Sequence, residues 1–159
     1  MRMTVILVHL LAAGFQLAQA QEARLDPKAA IAALSAARED LPQRGPFAVV
    51  AEGFTTAQEA TTVAGGLGGV AKASREITSC TKPDQGPRSC SMNNGLVGSV
   101  RLSRIVSVRE NNITVWVQSA IPIVTEYRTT IHLREYAVEL QRGSGGKWIV
   151  VNKKLILES

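Results

Sequence analysis

Val100-Arg101-Leu102-Ser103-Arg104-Ile105-Val106-Ser107-Val108 runs through the turn Glu110-Asn111-Asn112 into Ile113-Thr114-Val115-Trp116-Val117-Gln118-Ser119. In the first half Val100, Leu102, Val106 and Val108 alternate with polar residues around Arg101, Ser103 and Ser107. In the second, Ile113, Val115, Val117 and Ser119 oppose Thr114, Trp116 and Gln118. A period of two belongs to strands with one face buried. The same period holds from Leu96 to the end of the chain. Pro122 interrupts it, a long strand follows from about Val124 to Arg142, Gly143-Ser144-Gly145-Gly146 turns the chain, and Trp148 to Leu157 is the last strand. Four strands joined by short turns predict an antiparallel meander. Within the long strand the apolar set changes parity, from Ile131 and Leu133 to Tyr136, Val138 and Leu140. A strand changes faces only by inserting a residue, so a β-bulge is expected near Arg134-Glu135, curling the sheet.

Upstream the period is helical. Asp26-Pro27 is a helix start, because Asp caps free amides and Pro suits the first helical position. Ala30, Ile31, Leu34, Ala37 and Leu41 then predict an amphipathic helix over 27–40, ended by Pro42 and Gly45-Pro46. Phe47–Ala51 reads as a short strand or extended connector. Thr56-Ala57-Gln58-Glu59 has capping-box form, and Ala60, Val63, Ala64, Leu67 and Val70 continue one helical face. Gly65, Gly66, Gly68 and Gly69 leave two readings: the helix stops near Ala64, or its backbone presses closely on a sheet. Gly66-Leu67-Gly68-Gly69-Val70-Ala71 fits a dinucleotide-binding pattern only nominally, because a helical pattern precedes it where a strand is required.

The chain opens Met1-Arg2-Met3, continues with the apolar run Thr4–Phe15 and reaches Gln16-Leu17-Ala18-Gln19-Ala20. A basic start, an apolar segment and an Ala-x-Ala ending are the layout of a secretory signal peptide. The expected organisation is therefore a signal over 1–20, cleaved after Ala20, and a single α+β domain over 21–159. The run is too short to span a bilayer, which takes about 20 apolar residues. A secreted or periplasmic product without stable membrane insertion is expected. In that setting Cys80 and Cys90, the chain's 2 cysteines, most simply form one disulfide across a loop turned by Pro83, Gly86 and Pro87. Loss of Arg2 leaves 17 of the 18 Lys and Arg residues against 13 Asp and Glu, a net charge of +4. Arg101, Arg104 and Arg109 could form a basic stripe. The mature chain's aromatics are Phe47, Phe54, Trp116, Tyr127, Tyr136 and Trp148, too few to support nucleic-acid binding.

Helices first, then a curved antiparallel sheet ending in the hairpin Tyr136-Ala-Val-Glu-Leu-Gln-Arg-Gly-Ser-Gly-Gly-Lys-Trp148-Ile-Val-Val, resembles the nuclear transport factor 2-like and cystatin-like α+β superfamily. The resemblance implies two N-terminal helices packed on a curved sheet of four or more antiparallel strands. Members of the group range from polyketide-cyclase-like and ketosteroid-isomerase-like enzymes to non-catalytic binding and assembly domains. The enzymes are implied to use Asp, Glu or His directed into the pocket.

Against that requirement the chain offers little. His132, the one histidine after cleavage, shares parity with Arg128, Thr130 and Arg134, so a solvent-facing position is expected. Glu139 also opposes the apolar parity, and Glu126 lies beside the long strand. Glu52 follows an apolar segment, Glu135 sits at the expected bulge, and Trp116 could line a pocket or cover a sheet face. Glu135, Trp116 and Glu52 are therefore the candidate binding residues. No catalytic residue, metal ligand or cofactor is assigned. Trp148 is expected to anchor the core. The leading expectation is a non-catalytic module that binds a small molecule or protein through a concave sheet. A small lyase or isomerase of cone fold and a structural envelope-interaction module are the alternatives.

Overall fold

The structure is a computed structural model that describes residues 24–82 and 88–159. The expected signal segment, its cleavage point and the turn residues Pro83, Gly86 and Pro87 lie outside the described residues. Asp26 caps helix α1 (Pro27–Arg38), its carboxylate accepting from the Lys28 amide at 2.9 Å. Thr56 caps α2 (Ala57–Leu67), its hydroxyl accepting from the Glu59 amide at 3.1 Å. The helix runs through Gly65 and Gly66 and ends at Gly68, whose φ of 72° suits a left-handed cap. A Cβ on Gly66 would lie 2.4 Å from Ile31 Cδ1 of α1, and one on Gly69 would lie 2.7 Å from the Phe47 ring. Close approach is thus the reason for Gly66 and Gly69, but against a helix and a core aromatic in place of the expected sheet.

Between and after these helices run β1 (Ala48–Val50), β2 (Val70–Lys72), the single turn α3 (Ser74–Ile77), β3 (Thr78–Thr81) and β4 (Ser89–Met92). Four long strands complete the chain: β5 (Ser99–Arg109), β6 (Asn112–Val124), β7 (Thr129–Arg142) and β8 (Trp148–Glu158). The α+β class is as expected, and so is the antiparallel run β5 to β8. The sheet, however, has six strands in the order β2-β1-β5-β6-β7-β8, and β1 pairs in parallel with both β2 and β5. It is neither four-stranded nor antiparallel throughout. The two additional strands are three residues long, too short for a period to register. β3 and β4 form a separate two-stranded sheet.

α1 and α2 cover one face of the large sheet, where Leu34, Val63, Val100, Val115, Val117, Val138 and Leu140 form the main core. Trp148 is buried there with its indole N–H 3.4 Å from Asp26 Oδ2, as expected of an anchor. The opposite face of β1 supplies Ala48 and Val50 to a second, smaller core with Ile77, Leu96 and Met92.

The parity change in β7 has a different cause from the expected bulge. Pairing of β6 with β7 is regular from Asn112↔Gln141 to Val124↔Thr129, so β7 carries no extra residue against β6. The irregularities lie on the other side, between Glu135/Tyr136 and between Glu139/Leu140, where the extra residues, Ile156 and Val151, belong to β8. Tyr136, Val138 and Leu140 face the helices, while Ile131 and Leu133 face the opposite side. Both sets are apolar because the hairpin β3–β4 covers that opposite side, reaching β6 and β7. Nor does Pro122 end its strand. β6 continues to Val124, past its last partner on β5 at Ala120↔Ser99, so no strand on that side lacks the missing N–H.

Candidate functional site

The disulfide joins residues directly opposite each other, Cys80↔Cys90, with Cα atoms 4.0 Å apart. It fastens a hairpin that stands over the helix-free face of the sheet. At its base, Ile77 and Met92 pack with Val50 and Leu96. At its other end the Ser89 hydroxyl accepts from the Thr129 amide at 3.2 Å, tying β4 to the start of β7. The hairpin therefore bridges from β1 to β7, and a groove of about 410 Å³ lies beneath it. The groove's roof is Thr78, Cys80, Arg88 and Cys90. Its floor is supplied by Ser99 and Arg101 of β5, Gln118 and Ala120 of β6, and Ile131 and Leu133 of β7. A formed disulfide points to a location outside the reducing cytoplasm.

Glu52, Glu135 and Trp116 all lie at or near this helix-free face, yet no hydrogen bond or ion pair joins any two of them. Glu52, in the 3-10 turn Ala51–Gly53, is exposed and accepts from the Ser74 amide at 2.7 Å. That bond, aided by the Arg101 charge, holds its carboxyl below the usual carboxylate range. Glu135 pairs across from Gln118 and accepts from the Ser103 hydroxyl. Ser103 is the extra residue of a bulge in β5, between Leu102 and Arg104. Trp116 is half-buried under the Arg104 guanidinium, 5.6 Å from the ring centroid. A polar cleft of about 230 Å³, lined by Glu52, Ser74, Arg101, Ser103 and Arg104, adjoins the groove. The bulges of β5 also complete the basic stripe. Arg101, Arg104 and Arg109 differ in parity along the chain, yet pair with Gln118, Trp116 and Asn112 of a single face.

A buried polar cluster on the helix side was not anticipated. Asp40, after the end of α1, accepts from the Ser119 hydroxyl at 2.6 Å and from the Tyr136 hydroxyl at 3.0 Å. Burial, reinforced by the bond to Asp40, pushes the Tyr136 phenol up to about 12. The signal was present in the sequence, since Ser119 continues the buried parity of Ile113, Val115 and Val117 and must find a partner. The partner's position, 79 residues away, was not readable. His132 belongs to the same face but is less exposed than expected, with its ring 2.9 Å from Glu158 Oε1. Its contact, with that of Arg134, holds Glu158 low.

Arg88, Arg101, Gln118, Ile131 and Leu133 are among the groove residues missed as site candidates. Only the hairpin brings them together, and its strands Thr78–Thr81 and Ser89–Met92 carry Ser, Thr and Cys in place of an apolar alternation. Among the described residues no helix is long and apolar enough to cross a membrane, and no cluster of three His, Cys, Asp or Glu is placed to hold a metal ion. Comparison with family models, curated proteins and solved structures finds no match to this chain.

Proposed function

We propose that this chain is an exported, non-catalytic binding module whose ligand lies in the groove between the disulfide hairpin and the sheet. The observation that carries this reading is the hairpin itself, a disulfide-fastened roof over a partly apolar floor. The expected site moves accordingly, from the face curled around the helices to the opposite one, because the helix side is packed with core residues. The state of the Glu52 carboxylate also favours binding over chemistry. A general acid near neutral pH needs a raised pKa, and Glu52 is shifted the other way. Helices preceding a long-stranded sheet support placing the domain beside the nuclear transport factor 2-like group.

Native mass spectrometry on protein exported from a bacterial host tests this reading. A polypeptide beginning at Gln21, two hydrogens light and carrying a non-covalent small-molecule mass is the expected result. Glu52→Gln or Glu135→Gln variants that abolish turnover of a substrate without lowering the melting temperature would establish the enzymatic alternative instead.

The edge strand β8 favours one further reading, a structural interaction module. Ile149, Val151, Ile156 and Leu157 are 42–52% exposed along it. Apolar side chains on an unpaired edge are a template for association. Sedimentation showing dimers at micromolar concentration, abolished by Val151→Lys, would support that role.

A further inference from the structure

The chemistry of the groove narrows the ligand to a class. We propose that it binds an amphipathic carboxylate, an anionic head on an unbranched apolar body, of which a medium-chain fatty-acid anion is the simplest example. This assignment rests on the binding-module reading above. Two guanidiniums line the groove, Arg88 from the roof and Arg101 from the floor, and its lining among the described residues contains no carboxylate. Among the described residues, Glu52, which accepts from the Ser74 amide, and Glu135, which accepts from the Ser103 hydroxyl, lie outside this lining. Arginine pairs with a carboxylate through two parallel N–H···O bonds, which fixes the orientation of the head. The Gln118 amide adds donors beside Arg101.

Beside the hydroxyls of Ser74, Thr78 and Ser99, the remaining lining is apolar. Ala120, Ile131 and Leu133, each only partly buried, offer methyl and methylene surface near the Cys80–Cys90 bridge. These side chains sit on a sheet face that water would otherwise reach, so covering them with an apolar chain is favourable. A volume of about 410 Å³ accommodates a small ligand and falls within the roughly 300–1,000 Å³ typical of such sites. A purely polar anion would leave this surface uncovered, and an uncharged chain would leave the guanidinium donors of Arg88 and Arg101 to water. The combination calls for both parts in one molecule.

Calorimetric titration of the exported, disulfide-intact protein tests the assignment, with decanoate as the probe. Decanol lacks its charge, acetate lacks its chain, decylammonium reverses the charge, and anionic phosphatidylglycerol vesicles present the same chemistry as a surface. Saturable decanoate binding is expected, with decanol and acetate each at least about tenfold weaker. Arg101→Gln should weaken decanoate by about tenfold or more, the loss expected for a charged hydrogen bond, while the ligand-free protein melts as before. Leu133→Ser should weaken decanoate and leave the response to acetate unchanged. Equal binding of decanol and decanoate, or decanoate affinity unaltered in Arg101→Gln, overturns the assignment. Binding to vesicles without binding to dispersed decanoate also overturns it, in favour of a lipid surface. Decylammonium binding in place of decanoate would sink the carboxylate and spare the binding module. Failure of every amphiphile, in protein exported without an adduct, would remove both.

Discussion

Tyr136 and Asp40 show how one polar contact can register a helix against a sheet. The Tyr136 hydroxyl and the Ser119 hydroxyl come from adjacent strands and both donate to the carboxylate that follows α1. Tyr136→Phe should therefore cost about 1.5 kcal/mol or more, the worth of a hydrogen bond to a charged acceptor, measured by urea denaturation near neutral pH. The same residue sets an alkaline limit. Its phenol titrates at about 12 in the fold against an ordinary 10.0, so the native state retains a proton that the unfolded chain has released. The stabilisation is complete below about pH 10 and is lost as pH rises through the folded value. Denaturation midpoints should fall between pH 10 and 12, and Tyr136→Phe should flatten that decline. An unchanged slope in the variant would assign the alkaline loss to other groups.

At the scale of the element, the helices and long strands were legible because their periods are long enough to count. Both helix starts were readable from Asp26 and Thr56, and the strand order β5 to β8 followed from short turns. The short strand β1 lies within Phe47–Ala51, which reads as a strand or connector, whereas β2 and the Ser/Thr-rich hairpin were not legible, since neither carries a periodic apolar set. The hairpin's effect was nevertheless visible as the parity change in β7, where a single-sheet reading ascribed to a bulge what a second covering layer produces. The glycines in and just after α2 divide in the same physical way. Gly65 faces open space, so Gly65→Ala should raise stability by about 1 kcal/mol, the difference in helix propensity. Gly69 has the Phe47 ring and carbonyl oxygen within 3.1 Å of its Cβ position, so Gly69→Ala should lower stability by about 1–3 kcal/mol. Thermal melts of the two variants should move in opposite directions. The disulfide acts on the hairpin as a whole. A Cys80→Ser, Cys90→Ser double variant should fold but lose about 2–3 kcal/mol, read from its melting temperature. It should also bind decanoate less tightly, because the groove's roof is released.

Over the whole molecule, the two faces of one sheet have separate tasks. The face under α1 and α2 is filled by the main core and stabilises the domain. The other is roofed by the hairpin at one end and open along β8 at the other. This division explains why the candidate site was only partly readable. Glu52 after an apolar segment, Glu135 at the expected bulge and Trp116 opposite the apolar parity are the residues the sequence singles out, and they lie at or near the face opposite α1 and α2. The groove itself needed Arg88 and Leu133, 45 positions apart, to be brought together by the hairpin's crossing of the sheet.

Hydrogen–deuterium exchange on the exported protein, before and after stripping with organic solvent and again after addition of decanoate, tests this division most directly. Stripping should deprotect amides in Thr78–Thr81, Ser89–Met92 and Ile131–Leu133, and decanoate should restore them, while α1 and α2 stay unchanged. Protection that changes instead around Asp40, Ser119 and Tyr136, with the hairpin unaffected, would place the site on the helix side and contradict the account.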